Sequence, residues 1–226
     1  MLAAAACMAA PALAADLAGT VALSSQLIDR GVAIAPRSGA IQGALYWAPA
    51  RDWSLSASAA LDAGSPPRLL QSSFAVARDW TLADDWRLRA GLARSRYYYT
   101  GGRDRWWRVE RNEVQASLLY RDLLSLSLSA ARLHGSERTT LALDLTLQRP
   151  LTQRIAVSAG LGVAGIARYR DGNDREGYYR YGHLGLSWSR GDWRVDLQRI
   201  HAGAGAPRPW NAPQASPWLA TLALSF

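Results

Sequence analysis

The segment LHGSER, at positions 133–138, contains two side chains of the types that perform acyl-transfer chemistry, those of His134 and Ser136. A serine hydrolase needs a base beside the nucleophilic hydroxyl and a third group that orients the base. In the alternating pattern described below, Asp144 falls on the polar parity, whereas His134 shares its parity with Leu126 and Leu128. The three groups are therefore predicted to lie on opposite faces of a sheet, which leaves a hydrolase as an alternative without a complete triad.

Charged residues recur on the polar parity of several alternating segments, where they could filter ions rather than make bonds. Rings of charged side chains in a confined pore bias which ions enter it. Near the short turns Arg87, Arg89 and Arg194 are opposed only by Asp196, so an open pore is predicted to admit small anions in modest preference to cations. The predicted pore-lining residues are Arg87, Arg89, Glu113, Gln115, Asp144, Arg194 and Asp196.

Other arginines flank two tyrosine clusters, one at positions 97–99 and one that includes Tyr169 and Tyr178. A guanidinium can bind a phosphate through two parallel hydrogen bonds. These arginines are therefore predicted to contact the phosphates of lipopolysaccharide, with ordinary solvation as the alternative. The residues are Arg96, Arg103, Arg105, Arg108, Arg168 and Arg170.

The elements that must position these side chains are predicted to be β-strands. Apolar and polar residues alternate with a period of two in about twelve segments, from positions 17–31 to the end of the chain, and WSLSASAAL is a clear example. No apolar run of about eighteen residues follows the N-terminus, which excludes a helical membrane span. The polar parity is rich in Ser, Ala, Gly and Thr, which leave space inside a lumen but cover a soluble surface poorly.

The connections between these segments differ in length in a regular way. Short connections are predicted at 49–52, 121–123, 149–154 and 189–192, a moderate one at 79–85, and mostly longer loops at 32–39, 62–68, 100–106, 171–176 and 202–216. Short turns on one side and long loops on the other are typical of an up-and-down antiparallel β-barrel of the outer membrane. Aromatic residues beside the short turns predict a periplasmic girdle, and those beside the long loops an outer belt. The girdle comprises Trp47, Trp53, Trp86, Tyr120, Trp188, Trp193 and Phe226, and the belt Tyr97, Tyr98, Tyr99, Trp106, Trp107, Tyr169, Tyr178 and Tyr179.

Composition narrows the partners. The formal charge is +8, but the arginines are scattered and no recognition motif accompanies them, so no nucleic-acid partner is predicted. The apolar N-terminus predicts a signal peptide at 1–14, cleaved after Ala14 or Ala15, which leaves a single barrel domain over 15–226. Cys7, the one cysteine of the chain, lies in that peptide. The isolated histidines lack metal-ligand spacing, so no metal and no cofactor is predicted.

The first strand and its loop, GTVALSSQLIDRGVAIAPRSGAIQGALYW, resemble the opening of the TorF-like porin family of proteobacteria. The matching positions are Ser25, Arg30, Gly31, Gln42 and Gly43, whereas Gln26 and Leu27 depart from the family pattern. The resemblance implies an outer-membrane barrel with a transport function.

Two weaker resemblances concern the end of the chain and the hydrolase alternative. Leu222, Leu224 and Phe226 resemble the terminal aromatic signal by which outer-membrane barrels are recognised for insertion. His134 and Ser136 resemble the His-x-Ser of outer-membrane phospholipase A, but the matching downstream position is Gln148 where that family has Asn.

The sequence thus predicts an all-β transmembrane barrel of about twelve strands in the bacterial outer membrane, giving passive diffusion of small, anionic solutes. The first alternative is a non-conducting structural or receptor barrel, and the second is a phospholipase-like hydrolase. The predicted partners are outer-membrane lipids, lipopolysaccharide, the barrel-assembly machinery during insertion, and small solutes.

Overall fold

The computed structural model describes residues 17–34, 39–50, 52–64, 66–101, 105–136, 138–166, 177–203, 205–206 and 215–226. The predicted signal peptide lies outside these residues, and so do Arg103, Arg168 and Arg170 and the side chain of Arg105. In the described part of the chain, no helix has the length and apolar character needed to cross a membrane.

Strands account for nearly all regular structure in the described ranges. They are β1 (Leu17–Ser24), β2 (Ile28–Asp29), β3 (Val32–Ala33), β4 (Ala40–Ala50), β5 (Trp53–Asp62), β6 (Leu69–Ala83), β7 (Trp86–Gly101), β8 (Arg105–Tyr120), β9 (Leu124–Leu133), β10 (Thr139–Pro150), β11 (Ile155–Gly165), β12 (Tyr178–Arg190), β13 (Trp193–Ala202) and β14 (Trp218–Ser225). Within these ranges, β1 and β4–β14 form one closed antiparallel barrel of twelve strands, and β2 and β3 form a separate two-stranded hairpin.

The last strand closes the barrel against the first. Residues of β14 pair in register with β1, from Thr20 opposite Ser225 to Ser24 opposite Thr221. Beyond the last strand, Gly19 and Phe226 exchange backbone hydrogen bonds of 2.8 and 2.9 Å. A Cβ atom at Gly19 would lie 2.5 Å from the Phe226 ring, so the bare glycine backbone makes room for that ring. The predicted closed barrel is confirmed.

The outer surface of the barrel is apolar. Along each strand one parity points outward, and its leucines, valines and tryptophans are exposed, as Leu126 and Leu128 show at 43% and 54%. A soluble protein would bury such a band, whereas a membrane barrel presents it to lipid. At the short-turn end the band is bordered by the exposed rings of Trp47, Trp53, Trp86, Trp188, Trp193 and Phe226.

Two predicted connections are shorter than expected. The moderate connection at 79–85 is wrong, because β6 continues to Ala83 and the turn occupies Asp84 and Asp85. Trp80 and Leu82 prolong the outward apolar parity, so this stretch is wall rather than turn. The predicted loop at 100–106 is also mostly strand, since β7 reaches Gly101 and β8 begins at Arg105.

The predicted first strand over 17–31 is wrong beyond Ser24. There the chain leaves the barrel wall and turns into the lumen, where Leu27 and Ile28 are 4% and 3% exposed. Two consecutive buried apolar residues cannot both belong to one face of a strand, so the alternation ends before them. We call residues 26–34, which contain β2 and β3, the lumen hairpin.

The turn of the lumen hairpin is made by Arg30 and Gly31, which have φ angles of +50° and +76°. Positive φ at both central residues is the requirement of a two-residue turn whose twist matches its flanking strands. Glycine is also required sterically, because a Cβ atom at Gly31 would lie 2.9 Å from the Cβ of Tyr181.

Candidate functional site

The lumen hairpin packs on apolar side chains of the surrounding wall. Leu27 and Ile34 belong to one cluster with Ala40, Ala60, Leu70 and Tyr97, against which Val109 packs. Val32 packs on a second cluster formed by Ala142, Ala164 and Tyr179. The assignment of Tyr97 and Tyr179 to the outer belt is therefore wrong, because both rings are buried inside the lumen.

Ion pairs hold the tip of the lumen hairpin to β8, and hydrogen bonds hold it to β7 and β9. One guanidinium nitrogen of Arg30 donates to Glu113 at 2.7 Å and to Ser129 at 2.8 Å. Asp29 accepts a hydrogen bond of 2.6 Å from Arg111 and one of 3.0 Å from the Tyr97 hydroxyl. Arg111 Nε also lies 3.2 Å from Glu113, which links the two pairs. We call Asp29, Arg30, Arg111 and Glu113 the tip network.

The charges of the tip network compensate one another in a buried place. Asp29 lies outside the membrane-spanning strands, and its burial alone would raise its pKa. The positive charges of Arg111 and Arg30 outweigh burial and hold the pKa of Asp29 well below its usual value. Asp29 therefore remains ionised at neutral pH and keeps its attraction for both arginines.

Two donors of the tip network are incompletely satisfied. Among the described side chains, Arg30 Nε and Arg111 Nε are buried without a well-aligned hydrogen bond, although Asp144 lies 4.0 Å from the first. A buried donor without a partner costs free energy that water would return on exposure. The ion pairs of the tip network thus hold the hairpin in the lumen, whereas hydration of the two Nε–H groups would favour its release.

The lumen hairpin reaches opposite walls of the barrel. Its Asp29 contacts Tyr97 on β7, while a Cβ atom at Gly31 would approach Ala202, at the end of β13, at 3.2 Å. In the strand order, β7 and β13 lie half a circumference apart. At the base of the hairpin, Gln26 donates to the carbonyl oxygens of Ser216 and Trp218 at 2.9 Å. The hairpin therefore crosses the lumen at the long-loop end of the barrel.

The short-turn half of the lumen contains separate ion pairs. Arg89 donates two hydrogen bonds to Asp79, at 2.7 and 2.8 Å, and Arg194 donates to Asp196 at 2.8 to 3.0 Å. Arg87 lies 3.2 Å from Asp122 in a turn. Sequence reasoning missed Asp79, because it placed this residue in a connection, although its parity with the lumen-facing Ala77 indicated the inward direction.

The structure places all seven predicted pore-lining residues on the inward parity, but in different surroundings. Glu113 and Asp144 contact the hairpin or its neighbours, and Gln115 donates to Ser117 at 3.0 Å. Each predicted pore arginine has a carboxylate partner. Asp79 and Asp196 therefore neutralise Arg89 and Arg194. The charge of Arg87 is compensated less well, because its partner Asp122 is 67% exposed and water screens the attraction between them.

The residues of the family resemblance gather at the hairpin. Ser25 Oγ accepts a hydrogen bond from the Ala220 amide at 3.1 Å, and Gln42 donates to Ser24 Oγ at 2.7 Å. Arg30 and Gly31 form the turn. Gly43 lies apart, on the outward parity. Four of these five positions thus fix the base or the tip of the lumen hairpin.

The groups of the hydrolase alternative do not meet. Ser136 Oγ is engaged with the backbone of Arg138, and His134 is exposed in the same loop. Asp144 faces the lumen and accepts a hydrogen bond from Tyr181. Gln148 lies near the short-turn end of β10, where its backbone N–H donates to the carbonyl oxygen of Leu123. In the described ranges, no three potential metal ligands cluster.

The glycine-rich segment of β11 makes space for lumen side chains. Added Cβ atoms at Gly160 and Gly162 would collide with the rings of His183 and Tyr181, respectively. These glycines therefore let two inward rings lie flat against the wall, beside the second apolar cluster.

Comparison with known proteins shows the fold. No family model and no curated protein matches the chain, so the TorF-like resemblance remains a hypothesis. Among solved structures, the KdgM porin matches with a TM-score of 0.56 and 8% identity, covering 92% of this chain and 98% of that one. The NanC porin matches with a TM-score of 0.55 and 11% identity, covering 93% and 98%. A KdgM porin in complex with disordered oligogalacturonate has a TM-score of 0.50, with 8% identity and coverage of 92% and 95%. The chain is a transmembrane barrel with the fold of these porins.

Proposed function

We propose that this chain is an outer-membrane, porin-like channel for small anionic solutes, and that the lumen hairpin closes its outer half. The observation that carries the proposal is a contrast between two halves of one lumen. In the short-turn half, the side chains of Arg89 and Arg194 are 29% and 25% exposed. At the hairpin, those of Arg30 and Glu113 are 10% and 4% exposed. A charged vestibule thus leads to a closed constriction.

The size of the barrel supports a narrow path. Barrels of about eight strands are filled by their own side chains, and barrels of about sixteen strands leave an aqueous channel. This barrel lies between them, so one inserted hairpin suffices to decide between open and closed. The hairpin is held at its tip by ion pairs, which a displaced hairpin could exchange for water.

The proposed preference for anions has two supports. The oligogalacturonate in the KdgM complex is a chain of carboxylate sugars, and that porin shares the fold of this chain. In the vestibule, Arg87 is 42% exposed and its partner Asp122 lies outside the wall, in a turn. The remaining vestibule pairs are neutral, so the preference is expected to be modest and weaker at high salt.

The test is the zero-current potential of the refolded barrel in a salt gradient, measured with two opposite variants. Arg89→Ser removes a positive charge and leaves Asp79 unpaired, so it should shift the potential toward cations. Asp79→Asn should shift it toward anions. Shifts of the same sign, or no shift in either variant, would show that this pair does not line the conducting path.

A non-conducting structural barrel is the second candidate. The two apolar clusters on which Leu27, Ile34 and Val32 pack favour it, because they stabilise the inserted hairpin independently of the tip network. If the folded barrel shows no conductance even when the hairpin is deleted, the structural candidate is established.

Insertion through the barrel-assembly machinery forms part of the proposal. The parity of Leu222, Leu224 and Phe226 points outward, and Leu222 and Phe226 are exposed at 42% and 71%. An assembly factor could bind this apolar edge before β14 pairs with β1.

A further inference from the structure

Three outward-facing arginines converge on one carboxylate at the long-loop end of β7 and β8. Arg94 donates to Glu110, while Arg96 Nε and Arg108 Nε lie 3.2 and 3.4 Å from the other Glu110 oxygen. The arginine side chains are 44% to 63% exposed, whereas that of Glu110 is 9% exposed. We call these four residues the outer arginine patch. Arg94 was not among the predicted lipopolysaccharide contacts.

The patch begins where the apolar band ends. On the outward parity, Leu92 and Val114 are both 57% exposed, and the next outward positions toward the loops are Arg94 and Asn112. At about 3.3 Å per residue and a tilt of about 40°, the stretch from Trp86 to Arg96 rises about 25 Å. This rise equals the height of the apolar band of an outer-membrane barrel, about 25 Å. The guanidinium groups therefore lie at the level of lipid headgroups.

Glu110 cannot satisfy the patch by itself. A carboxylate offers about four acceptor positions, whereas each guanidinium carries about five N–H donors. Three arginines against one glutamate leave two positive charges and most donors directed outward. On the neighbouring strand, Arg132 adds a further exposed guanidinium opposite Asn112, with its Nε donating to the Ser136 carbonyl oxygen at 2.9 Å.

We infer that the outer arginine patch binds the phosphate groups of lipid A in the surrounding leaflet. The ligand chemistry is a phosphate monoester with two or more charged oxygens, which arginine binds bidentately. Glu110 gathers the three arginines before binding, so little side-chain order must be created when the phosphate arrives. The inference rests on the proposed outer-membrane location, but it does not require the barrel to conduct.

The test measures binding of defined lipids to the refolded full chain in detergent, with heat-modifiable mobility as the check of folding. The probes are lipid A with two phosphates, lipid A with one phosphate, and inorganic phosphate. The variant Arg94→Gln/Arg96→Gln/Arg108→Gln should weaken binding of the two-phosphate lipid by about tenfold or more, since basic residues near an anionic surface contribute cumulatively. The matched control, Arg78→Gln/Arg149→Gln/Arg190→Gln, removes the same charge near the short-turn end and should change binding by less than about twofold.

A second variant separates a binding site from a structural ion cluster. Glu110→Gln keeps all three arginines and an acceptor oxygen that can still gather them, but it removes the negative charge that opposes a bound phosphate. It should therefore retain or strengthen binding of the two-phosphate lipid. Equal binding by the triple variant and its control would overturn the inference. Inorganic phosphate that binds as tightly as lipid A, with the same dependence on the patch, would overturn the lipid assignment. Because these readouts are affinities, a barrel that proves non-conducting leaves them interpretable.

Discussion

Removing the Arg30 side chain should release the lumen hairpin. Arg30 is nearly buried and bonded to Glu113 and Ser129. Breaking a buried ion pair by removing one partner costs about 3 to 5 kcal/mol, and Glu113 keeps Arg111, so Arg30→Ala should cost about 3 kcal/mol. The ratio of released to inserted hairpins should then rise about a hundredfold.

The reactivity of a single thiol can report this ratio. The sequence contains one cysteine, Cys7, so a Cys7→Ser/Ala33→Cys background carries one thiol in the lumen hairpin. Ala33 is 5% exposed, and a water-soluble maleimide should reach the introduced thiol only when the hairpin is released from its contacts in the lumen. Labelling rates then follow the released population.

Arg30→Ala should accelerate labelling about a hundredfold, and Arg30→Lys, which keeps the charge but not the guanidinium geometry, should fall between. Arg121→Ala is the control, because it removes an exposed pair with Asp85 at a short turn and should leave the rate nearly unchanged. If the labelling rate of Arg30→Ala equals that of Arg121→Ala, the tip network does not hold the hairpin in the lumen.

Three further predictions test the wall, its closure and its electrostatics. Leu126→Arg places a charge on the lipid face and should cost about 2 to 4 kcal/mol in a bilayer-folding titration, whereas the neighbouring lumen position Ser127→Arg should cost far less; equal costs would contradict the inward and outward assignment. Deleting Phe226 removes its contacts with Gly19 and the proposed insertion signal, so outer-membrane yield should fall and periplasmic material should appear, and a normal yield would argue against the signal. The pKa of Asp29 is depressed in the folded protein, so the stabilisation by its charge is fully present above the ordinary carboxylate pKa of about 4. It is lost only as pH falls through the lower folded pKa. Protection of the Ala33→Cys thiol, measured as its labelling rate relative to an exposed thiol at the same pH, should therefore be constant from neutral pH to about 4. Its loss near pH 6 would show that another group controls the hairpin.

The barrel wall could be predicted because two environments act on every strand. Lipid outside and lumen inside impose the period of two, and the regular alternation of turns follows from antiparallel neighbours. The same parity rule applies to Tyr97, which was assigned to the outer belt, and to Glu110. Tyr97 shares the parity of Arg89, which indicated the lumen, and Glu110 shares the parity of Val114, which indicated the lipid side.

The lumen hairpin could not be predicted from local pattern. Leu27 continues the parity of Val21 and Leu23, so an extended first strand and an inserted hairpin look alike up to that residue. What selects the hairpin is a set of distant partners, since Arg30 pairs with Glu113 and Asp29 with Arg111. Such pairings depend on the closed barrel that brings β8 around the lumen.

The conductance of the full chain compared with a variant lacking residues 27–34 tests the central claim most directly. Ser24 and Ala40 are opposite each other on the adjacent strands β1 and β4, so the loop that remains after the deletion can still join these strands. The full chain should show small or brief conductance in a planar bilayer, and the deletion variant should conduct steadily. A variant lacking residues 207–214, an equal length from another connection, should behave as the full chain. If the folded deletion variant is silent, or the full chain conducts equally well, the barrel is not a channel closed by its hairpin.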